Sequence, residues 1–310
     1  MALGTNNVTK TTAAKFIPEI WSDEIVAAYK ANLVAANLFS KMSFKGKKGD
    51  VLHIPKPTRG AASAKAASTQ VTLIAATENE IQVLINKHYE YSRFIEDIVE
   101  TQALSSLRKF YTDDAGHALA KQVDTDLIQL GRTAGSGTAY STAATTTNAF
   151  IGSNGTTVYN STSSNAAALT DAAIRRTIQR LDDADVPMTD RVLIVPPSTR
   201  NTLMGIARFT EQSFVGEQGS ANTIRNGLIG DVYGVKVYVT TNADNGAGSS
   251  GADRICLMAH KDAFCLAEQM GVRSQTQYKQ EWLATLFTSD MLYGVAELRD
   301  SSAVALAVPA

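Results

Sequence analysis

The glycine-rich stretch 226–242, NGLIGDVYGVKVYVTTN, is the segment whose residue types most resemble a phosphate-binding loop. Its glycines, Gly227, Gly230 and Gly234, match neither G-x-G-x-x-G nor G-x-x-x-x-G-K-[ST]. They also precede a strand, whereas phosphate loops precede a helix whose N-terminus attracts the anion. Glycine readily adopts the positive φ angles that tight turns require. The spacing therefore predicts a turn before the strand VKVYVT and argues against a nucleotide site.

Histidines and acidic residues form no pattern typical of a metal site. None of the histidines belongs to a His-x-x-x-His or Glu-x-x-His motif, which would place two ligands on one helix face. The run Asp182, Asp183 and Asp185 precedes Val186-Pro187, where we expect a solvated helix end. We predict no metal and no cofactor, and we interpret all four histidines as structural or surface residues: His53, His88, His117 and His260.

Nucleophilic chemistry is not indicated either. Ser153 lies in IGSNG, but a nucleophile elbow needs a strong strand before the serine and a helix after it. Cys256 and Cys265 fit neither a disulfide framework nor paired metal ligands, so we expect two buried thiols. We predict no catalytic residues. A nucleotide-dependent α/β enzyme centred on residues 192–240 is an alternative, although it would lack a phosphate-binding loop.

The charge balance limits what the protein can bind. Lysine and arginine total 29, aspartate and glutamate total 30, and the net charge is −1. Tight binding to nucleic acid needs an excess of cations to displace counterions, so we expect only weak, non-specific contacts with DNA. No apolar run approaches the roughly 20 residues of a membrane helix, and the polar N-terminus lacks the apolar core of a secretory signal. We expect a soluble, intracellular protein with no membrane partner.

The N-terminal residues predict an arm. After a polar leader, residues 16–39 have the apolar spacing of an amphipathic helix. The apolar residues Trp21, Ile25, Tyr29 and Leu33 suggest that this arm docks on another surface.

An extended hairpin should follow the arm. The segments GKKGDVLHIPKP and NEIQVLINKHYEYSRF each predict a strand, and in the second Ile81, Val83 and Ile85 share one side. Between them, residues 58–77 have no apolar pattern. A patternless loop of this length is unusual inside a compact domain. It would be explained if the loop packed on a different subunit.

A long helix and a polar insertion come next. Residues 98–132 have apolar positions three or four apart and predict a helix roughly 50 Å long at 1.5 Å per residue. Residues 133–168 consist mainly of Thr, Ser, Ala, Asn and Gly. We predict an exposed insertion with one hairpin, poorly determined by its own packing.

The remaining sequence mixes helices and strands, so the fold class is α+β. Residues 169–260 predict a helix capped by Thr170, a buried strand at 192–195 and a second helix capped by Ser198. In the last fifty residues we predict three strands that pair beside the long helix: QTQYKQEWLATLFTSD, MLYGVAEL and AVALAV.

The order of these parts resembles that of the major capsid proteins of tailed bacteriophages, which have the Hong Kong 97 type fold. The similar segments are IPEIW, GDVLHIPK, the long helix, DRVLIVPPSTRNTL, NGLIGDVYGVKVYVTTN and GVAELRDSSAVALAV. Each segment is moderately specific by itself. The resemblance rests on their order and spacing, which extend from residue 16 to residue 308.

The resemblance implies how the chain divides. Residues 1–45 would form the N-terminal arm and residues 46–95 the extended loop. Residues 96–132 and 261–310 would form the peripheral domain, with the long helix and a closing sheet, and residues 169–260 the axial domain. We match the insertion 133–168 to no conserved part of the family and expect it at an exposed or capsomer-decorating position. Assembly candidates are Trp21, Ile25, Tyr29 and Leu33 in the arm, Lys56, Arg59 and Lys65 in the extended loop, and Gly227, Gly230 and Gly234 in the axial turn.

The resemblance also implies a function and partners. Copies of the chain would form the hexamers and pentamers of an icosahedral phage head around double-stranded DNA, in a virion assembled in the host bacterial cytoplasm. No long helical leader precedes residue 16, so we expect a separate scaffolding protein. A portal protein is a further expected partner, and a decoration protein a candidate.

Two further points follow from the resemblance. Some family members cross-link their shells through Lys and Asn side chains, and although Lys56 and Lys65 lie in the loop, no acceptor is evident. An encapsulin-like compartment shell is the alternative function with the same fold.

Overall fold

The structure is a computed structural model that describes residues 33–46, 48–57, 60–71, 73, 78–97, 106–206, 230–247 and 253–310. Its helices are α1 (Ala35–Leu38), α2 (Ser106–Gln129), α3 (Asp171–Asp183) and α4 (Pro197–Met204). Its strands are β1 (Ser40–Ser43), β2 (Val51–Pro57), β3 (Glu78–Leu84), β4 (Lys87–Glu96), β5 (Ala149–Ile151), β6 (Arg191–Val195), β7 (Asp231–Val232), β8 (Val235–Val239), β9 (Asp253–His260), β10 (Phe264–Lys279), β11 (Ala284–Glu297) and β12 (Ala303–Pro309).

A four-stranded sheet in the order β1-β10-β11-β4 packs one face against α2. Two tyrosines mark that face, because Tyr293 Oη donates to Asp126 at 2.6 Å and Tyr91 Oη donates to Asp114 at 3.0 Å. The helix continues as a 3-10 turn over Leu130–Arg132. The predicted long helix beside a sheet is therefore confirmed from residue 106 onward.

Strands β10 and β11 form one long antiparallel hairpin, which corrects the predicted strand boundaries. QTQYKQEWLATLFTSD contains the end of β10, a 3-10 turn at Gln280–Trp282 and the beginning of β11. Leu283 completes the turn in the left-handed region, with φ 44°. The prediction of one continuous strand through Trp282 was wrong. It relied on the alternation of apolar residues, and hydrophobicity alone does not distinguish a turn with exposed apolar residues from a strand.

A six-stranded sheet has the order β5-β12-β9-β6-β8-β7. Its core contains Ile174 and Leu181 from α3 and Leu203 from α4. The predicted strand AVALAV belongs here as β12, between β9 and β5, and not in the sheet beside the long helix. That prediction was wrong because β12 is buried on both faces, and such a strand shows no alternation that would indicate its partner.

The two helices of this region begin differently from one another. Thr170 caps α3 as predicted, since its side chain accepts a hydrogen bond from the backbone N–H of Ala173. Ser198 does not cap α4. The helix begins at Pro197, whose missing N–H and fixed φ suit the first helical position, and the Ser198 hydroxyl instead donates to the carbonyl of Pro309 at 3.4 Å.

Residues 133–168 are folded onto the edge of the six-stranded sheet, which corrects the prediction of an exposed insertion. Tyr140 and Tyr159 are almost completely buried, and β5 pairs in parallel with β12. The side-chain amide of Asn148 donates to the carbonyls of Arg132 and Ala134 at 2.9 and 2.8 Å. The prediction was wrong because these polar side chains bond to backbone groups inside the fold and not to solvent.

Strands β2 and β3 form the predicted antiparallel hairpin, with Val51 opposite Leu84 and Pro57 opposite Glu78. Val83 and Ile85 are buried at its base, as the alternation indicated. The predicted strand NEIQVLINKHYEYSRF is however two strands, since β3 ends at Leu84 and the chain continues into β4 of a different sheet.

Candidate functional site

The assembly candidates are distributed over separate parts of the described fold. Lys56 lies on β2 and Lys65 in the loop after it, Gly230 and Gly234 flank β7, and Leu33 precedes α1. Outside the described residues lie Trp21, Ile25, Tyr29, Arg59 and Gly227. The described candidates thus do not converge on one catalytic centre, and each surface is considered by itself.

The extended hairpin carries a loop that its own subunit does not cover. Each of residues 60–71 is exposed, and Leu73 is 90% exposed. Val71, which is 65% exposed, is a second large apolar residue held in solvent. Such apolar exposure on a long loop is typical of a segment that packs on another surface.

The base of the hairpin is by contrast firmly attached. The backbone N–H of Ile85 donates to the carbonyl of Asp50 at 2.8 Å, and Val83 packs with Phe44 and Ala267. The carbonyl of Leu84 lies directly over Gly294 of β11. The hairpin therefore projects from the four-stranded sheet at a fixed crossing point.

On the hairpin strands, His53 pairs with Glu80 at 3.0 Å, and both side chains are about half exposed. The pKa of Glu80 is lowered by a hydrogen bond from Gln82 and, secondly, by His53. Exposed pairs of this kind contribute little to stability. His53 is therefore a surface residue, as the sequence suggested.

The glycine-rich turn joins β7 and β8 as a two-residue hairpin. Val232 pairs with Val235, and the residues between them, Tyr233 and Gly234, have φ angles of 53° and 78°. Positive φ at both positions is the requirement of a type I′ turn. The prediction of a left-handed turn is confirmed for Gly234, whereas Gly230 does not have a positive φ and has open space around it.

Asp124 of the long helix α2 anchors the described end of the arm through hydrogen bonds. This residue was not among those predicted from the sequence. Asp124 is completely buried, and its Oδ1 accepts the backbone N–H groups of Val34 and Ala35 at 3.0 and 2.6 Å. Its Oδ2 accepts from Asn242 at 3.1 Å. The signal in the sequence that could have predicted this anchor is that Asp124 is a carboxylate among the apolar positions of the helical pattern. Leu33, half-buried, immediately precedes this anchor.

A polar cleft of about 220 Å³ lies between α2 and residues 241–245. Its charged side chains already have partners within the fold. Arg132 donates twice to Asp244 at 2.7 Å, and Arg254 donates to Asn245 at 2.6 Å. Because these groups neutralise or satisfy one another, we assign the cleft a structural role in joining the helix to this loop.

On the sheet face opposite α2, Asp290 connects three strands. Arg273 of β10 donates two hydrogen bonds to it, at 3.1 and 2.8 Å, and His88 of β4 lies 3.3 Å away. Hydrogen bonds lower the pKa of Asp290, and the bond from Arg273 has a larger effect than the one from His88.

A second carboxylate with a shifted pKa lies at the end of β11. Burial raises the pKa of Glu297, whose Oε2 accepts from Thr133 at 3.1 Å.

The other candidate reactive residues lie in structural positions. Cys256 and Cys265 are buried, as expected, and burial raises their thiol pKa values to about 12 and about 11. Asp182 accepts from the buried Arg191 at 2.6 Å, so this acidic residue is paired and not simply solvated.

Within the described ranges, no three His, Cys, Asp or Glu residues are grouped so as to hold a metal ion. In the same part of the chain, no helix is long and apolar enough to cross a membrane.

Comparison with known families and structures gives a consistent result. A family model described as "Phage capsid protein" matches residues 37–307. Comparison with curated protein sequences finds no match.

Among solved structures, the chain is similar to one from Mycobacterium phage Che8, with a TM-score of 0.74, 22% identity and 98% coverage of both chains. It is similar to the capsid of cyanophage Pam1, with a TM-score of 0.76, 14% identity and 99% coverage of both chains. It also resembles the capsid of cyanophage P-SCSP1u, with a TM-score of 0.73, 17% identity and coverage of 99% of this chain and 96% of that one. At these identities the structural matches establish the fold.

Proposed function

The chain belongs to the phage capsid protein family, and from this premise we propose that its copies form the hexamers and pentamers of an icosahedral head that encloses double-stranded DNA. It is a structural major capsid protein with a Hong Kong 97 type fold. The matches do not favour an encapsulin-like compartment or a nucleotide-dependent enzyme.

The observation that carries the proposal is the extended hairpin, whose base is fixed and whose loop is uncovered. Ile85 and Val83 hold the base in the core, while residues 60–71 are all exposed. A subunit with such an exposed loop gains contacts when a neighbouring copy of the chain covers that loop. Contacts that repeat around a rotation axis then close into rings.

One chain must occupy both five-fold and six-fold rings, so its contacts have to tolerate small changes of angle. A long loop can adapt to these changes, while the two sheets and α2 provide a fixed body. Individual contacts of this kind are modest, and repetition with linked neighbours increases their combined strength.

The domain division implied by the family becomes a proposal with three changes. We assign residues 1–45 to the arm and 46–95 to the extended loop, except for β4, which joins residues 96–132, β10 and β11 in the peripheral domain because it belongs to the four-stranded sheet. The axial domain then comprises residues 169–260 together with β12 and β5, because these strands belong to the six-stranded sheet. The rest of the insertion 133–168 would cover one edge of that sheet.

The proposed partners are a separate scaffolding protein, a portal protein, and a decoration protein as a further candidate. The net charge of −1 supports weak, non-specific contacts with packaged DNA. Assembly would take place in the host bacterial cytoplasm and yield a virion. We assign to subunit contacts the arm, loop and turn candidates: Trp21, Ile25, Tyr29, Leu33, Lys56, Arg59, Lys65, Gly227, Gly230 and Gly234.

The test is expression of the full chain, with and without a scaffold candidate encoded beside it, followed by negative-stain electron microscopy. We expect closed shells with five-fold and six-fold rings. A compact monomer at high protein concentration in both conditions would contradict the proposal. Nucleic acid inside particles made during infection, and absence of a cargo enzyme, would separate a phage head from an encapsulin-like compartment.

A further inference from the structure

Two carboxyl groups, those of Glu297 and Asp300, lie where the chain passes from one sheet to the other. Glu297 is the last residue of β11 in the four-stranded sheet, and Asp300 begins the 3-10 turn that leads into β12 of the six-stranded sheet. Asp300 Oδ1 accepts the backbone N–H of Gly135 at 2.5 Å, and Glu297 Oε2 lies 3.1 Å from Thr133 Oγ1. The two acids therefore connect both sheets to the segment that follows α2.

The surroundings of Glu297 do not suit an ionised carboxylate. Its Oε1 is buried and has no hydrogen-bond partner among the described residues. Its Oε2 lies beside the Thr133 hydroxyl, whose single proton can also go to the carbonyl of Leu130, 3.0 Å away. A buried carboxylate oxygen that receives no donor costs free energy. A carboxyl group that keeps its proton avoids this cost and becomes a donor itself.

The charged groups that act on Glu297 are Asp300 and, from strand β2, Lys56. Burial is the largest influence and raises the pKa of Glu297, and Asp300 raises it further through its charge and through hydrogen bonding. The bond from Thr133 and the charge of Lys56 oppose this rise. Arg132 in the neighbouring 3-10 turn donates twice to Asp244, so its charge is already compensated.

We propose that Glu297 and Asp300 share one proton and form a proton-dependent latch between the end of β11, the turn before β12 and the segment that follows α2. With the proton present, Glu297 is neutral and can donate to the Asp300 carboxylate, which also holds Gly135. When the proton passes to solvent, two carboxylates face one another and repel. No other bond changes. The inference concerns the fold of one subunit and does not depend on the assembly of shells.

The latch should weaken as the pH rises. Because the folded-state pKa of Glu297 is raised above its unfolded value of about 4.3, the stabilisation by the proton is fully present below the unfolded value. It is lost as the pH rises through the higher folded value. Between the two values, opening of the latch should become up to about tenfold more favourable per pH unit, and above the folded value it should level off.

Hydrogen exchange of the Gly135 amide in the full-length protein tests this directly. We expect its protection factor, corrected for the intrinsic exchange rate, to fall with rising pH between about pH 5 and pH 8. Glu297→Gln cannot ionise and can still donate to Asp300, so its Gly135 protection should stay high over this range. Glu281→Gln removes an exposed acid in the β10–β11 turn and should behave like wild type. Constant protection in wild type, or the same pH dependence in Glu297→Gln, would overturn the inference.

A second measurement follows the Glu297 carboxyl carbon by NMR, with the signal assigned by its absence in Glu297→Gln. We expect its titration midpoint above about 4.3 in wild type. In Asp300→Asn the midpoint should fall, because the neighbouring negative charge is gone. A wild-type midpoint at or below the ordinary glutamate value, or a midpoint that Asp300→Asn leaves unchanged, would show that the two acids do not share a proton.

Discussion

The backbone carbonyl of Leu84 lies so close to Gly294 that a Cβ atom on residue 294 would overlap its oxygen. Ile85 contacts the same point, so two backbones cross here without a side chain between them. The φ of Gly294 is not in the left-handed region. Glycine is therefore needed here only because a side chain would not fit between the two backbones. This crossing sets where the extended hairpin leaves the four-stranded sheet.

We therefore expect Gly294→Ala to displace the hairpin base. The overlap involves backbone atoms, which cannot rotate away, and forced overpacking of this kind typically costs about 1–3 kcal/mol in the free energy of unfolding. Urea denaturation followed by circular dichroism measures the loss.

A matched control is Gly116→Ala in α2. Gly116 is exposed in the helix interior, and an added Cβ would have no neighbour within 4 Å. Alanine at such a site should raise the free energy of unfolding by about 0.5–1 kcal/mol. Equal effects of the two substitutions would contradict the importance of the crossing.

The extended loop should be dispensable for folding and essential for shells. We expect replacement of residues 58–77 by Asn-Gly, which closes a two-residue hairpin between Pro57 and Glu78, to leave a soluble subunit with nearly unchanged stability. Electron microscopy of the assembly reaction should show no shells. Normal particles from this variant would defeat the assembly role assigned to the loop.

Local features of the fold could be predicted from the sequence. Thr170 caps a helix, Gly234 lies in a left-handed turn, and Val83 and Ile85 face a core, because each depends on nearby residues. The long helix from residue 106 was predictable for the same reason, since its apolar positions recur at helical spacing.

Features set by distant contacts could not be predicted in this way. The partners of β12 depend on which strands lie beside it, and its burial on both faces removes the alternation that indicates a side. The packing of Tyr159 depends on Asp253, to which it donates at 2.6 Å across 94 positions of sequence. Trp282 was predicted to lie within a strand, whereas it lies in a turn that depends on how β10 and β11 pair.

Asp124 should be critical for anchoring the described end of the arm. Asp124→Ala removes the acceptor for two backbone N–H groups and for the Asn242 amide, and unsatisfied buried donors should lower the free energy of unfolding by about 3 kcal/mol. Asp124→Asn keeps one acceptor oxygen but places a second amide beside Asn242, so its loss should be smaller. Hydrogen exchange of Val34 and Ala35 should accelerate in both variants. Unchanged protection of these two amides would rule out the anchoring role.

The cluster around Asp290 should stabilise the sheet in a pH-dependent manner. Because hydrogen bonds from Arg273 lower the folded-state pKa of Asp290, its contribution is fully present above the unfolded pKa of about 3.9 and is lost as the pH falls through the lower folded value. Asp290→Asn should therefore unfold at lower urea concentration than wild type near pH 7, and the difference should shrink below about pH 4. Glu297→Gln provides a comparison of opposite sign: burial raises the pKa of Glu297, so this variant should be more stable than wild type at pH 7 and lose that advantage as the pH falls. A difference between Asp290→Asn and wild type that stays constant down to pH 2 would show that the ionised carboxylate does not support the fold.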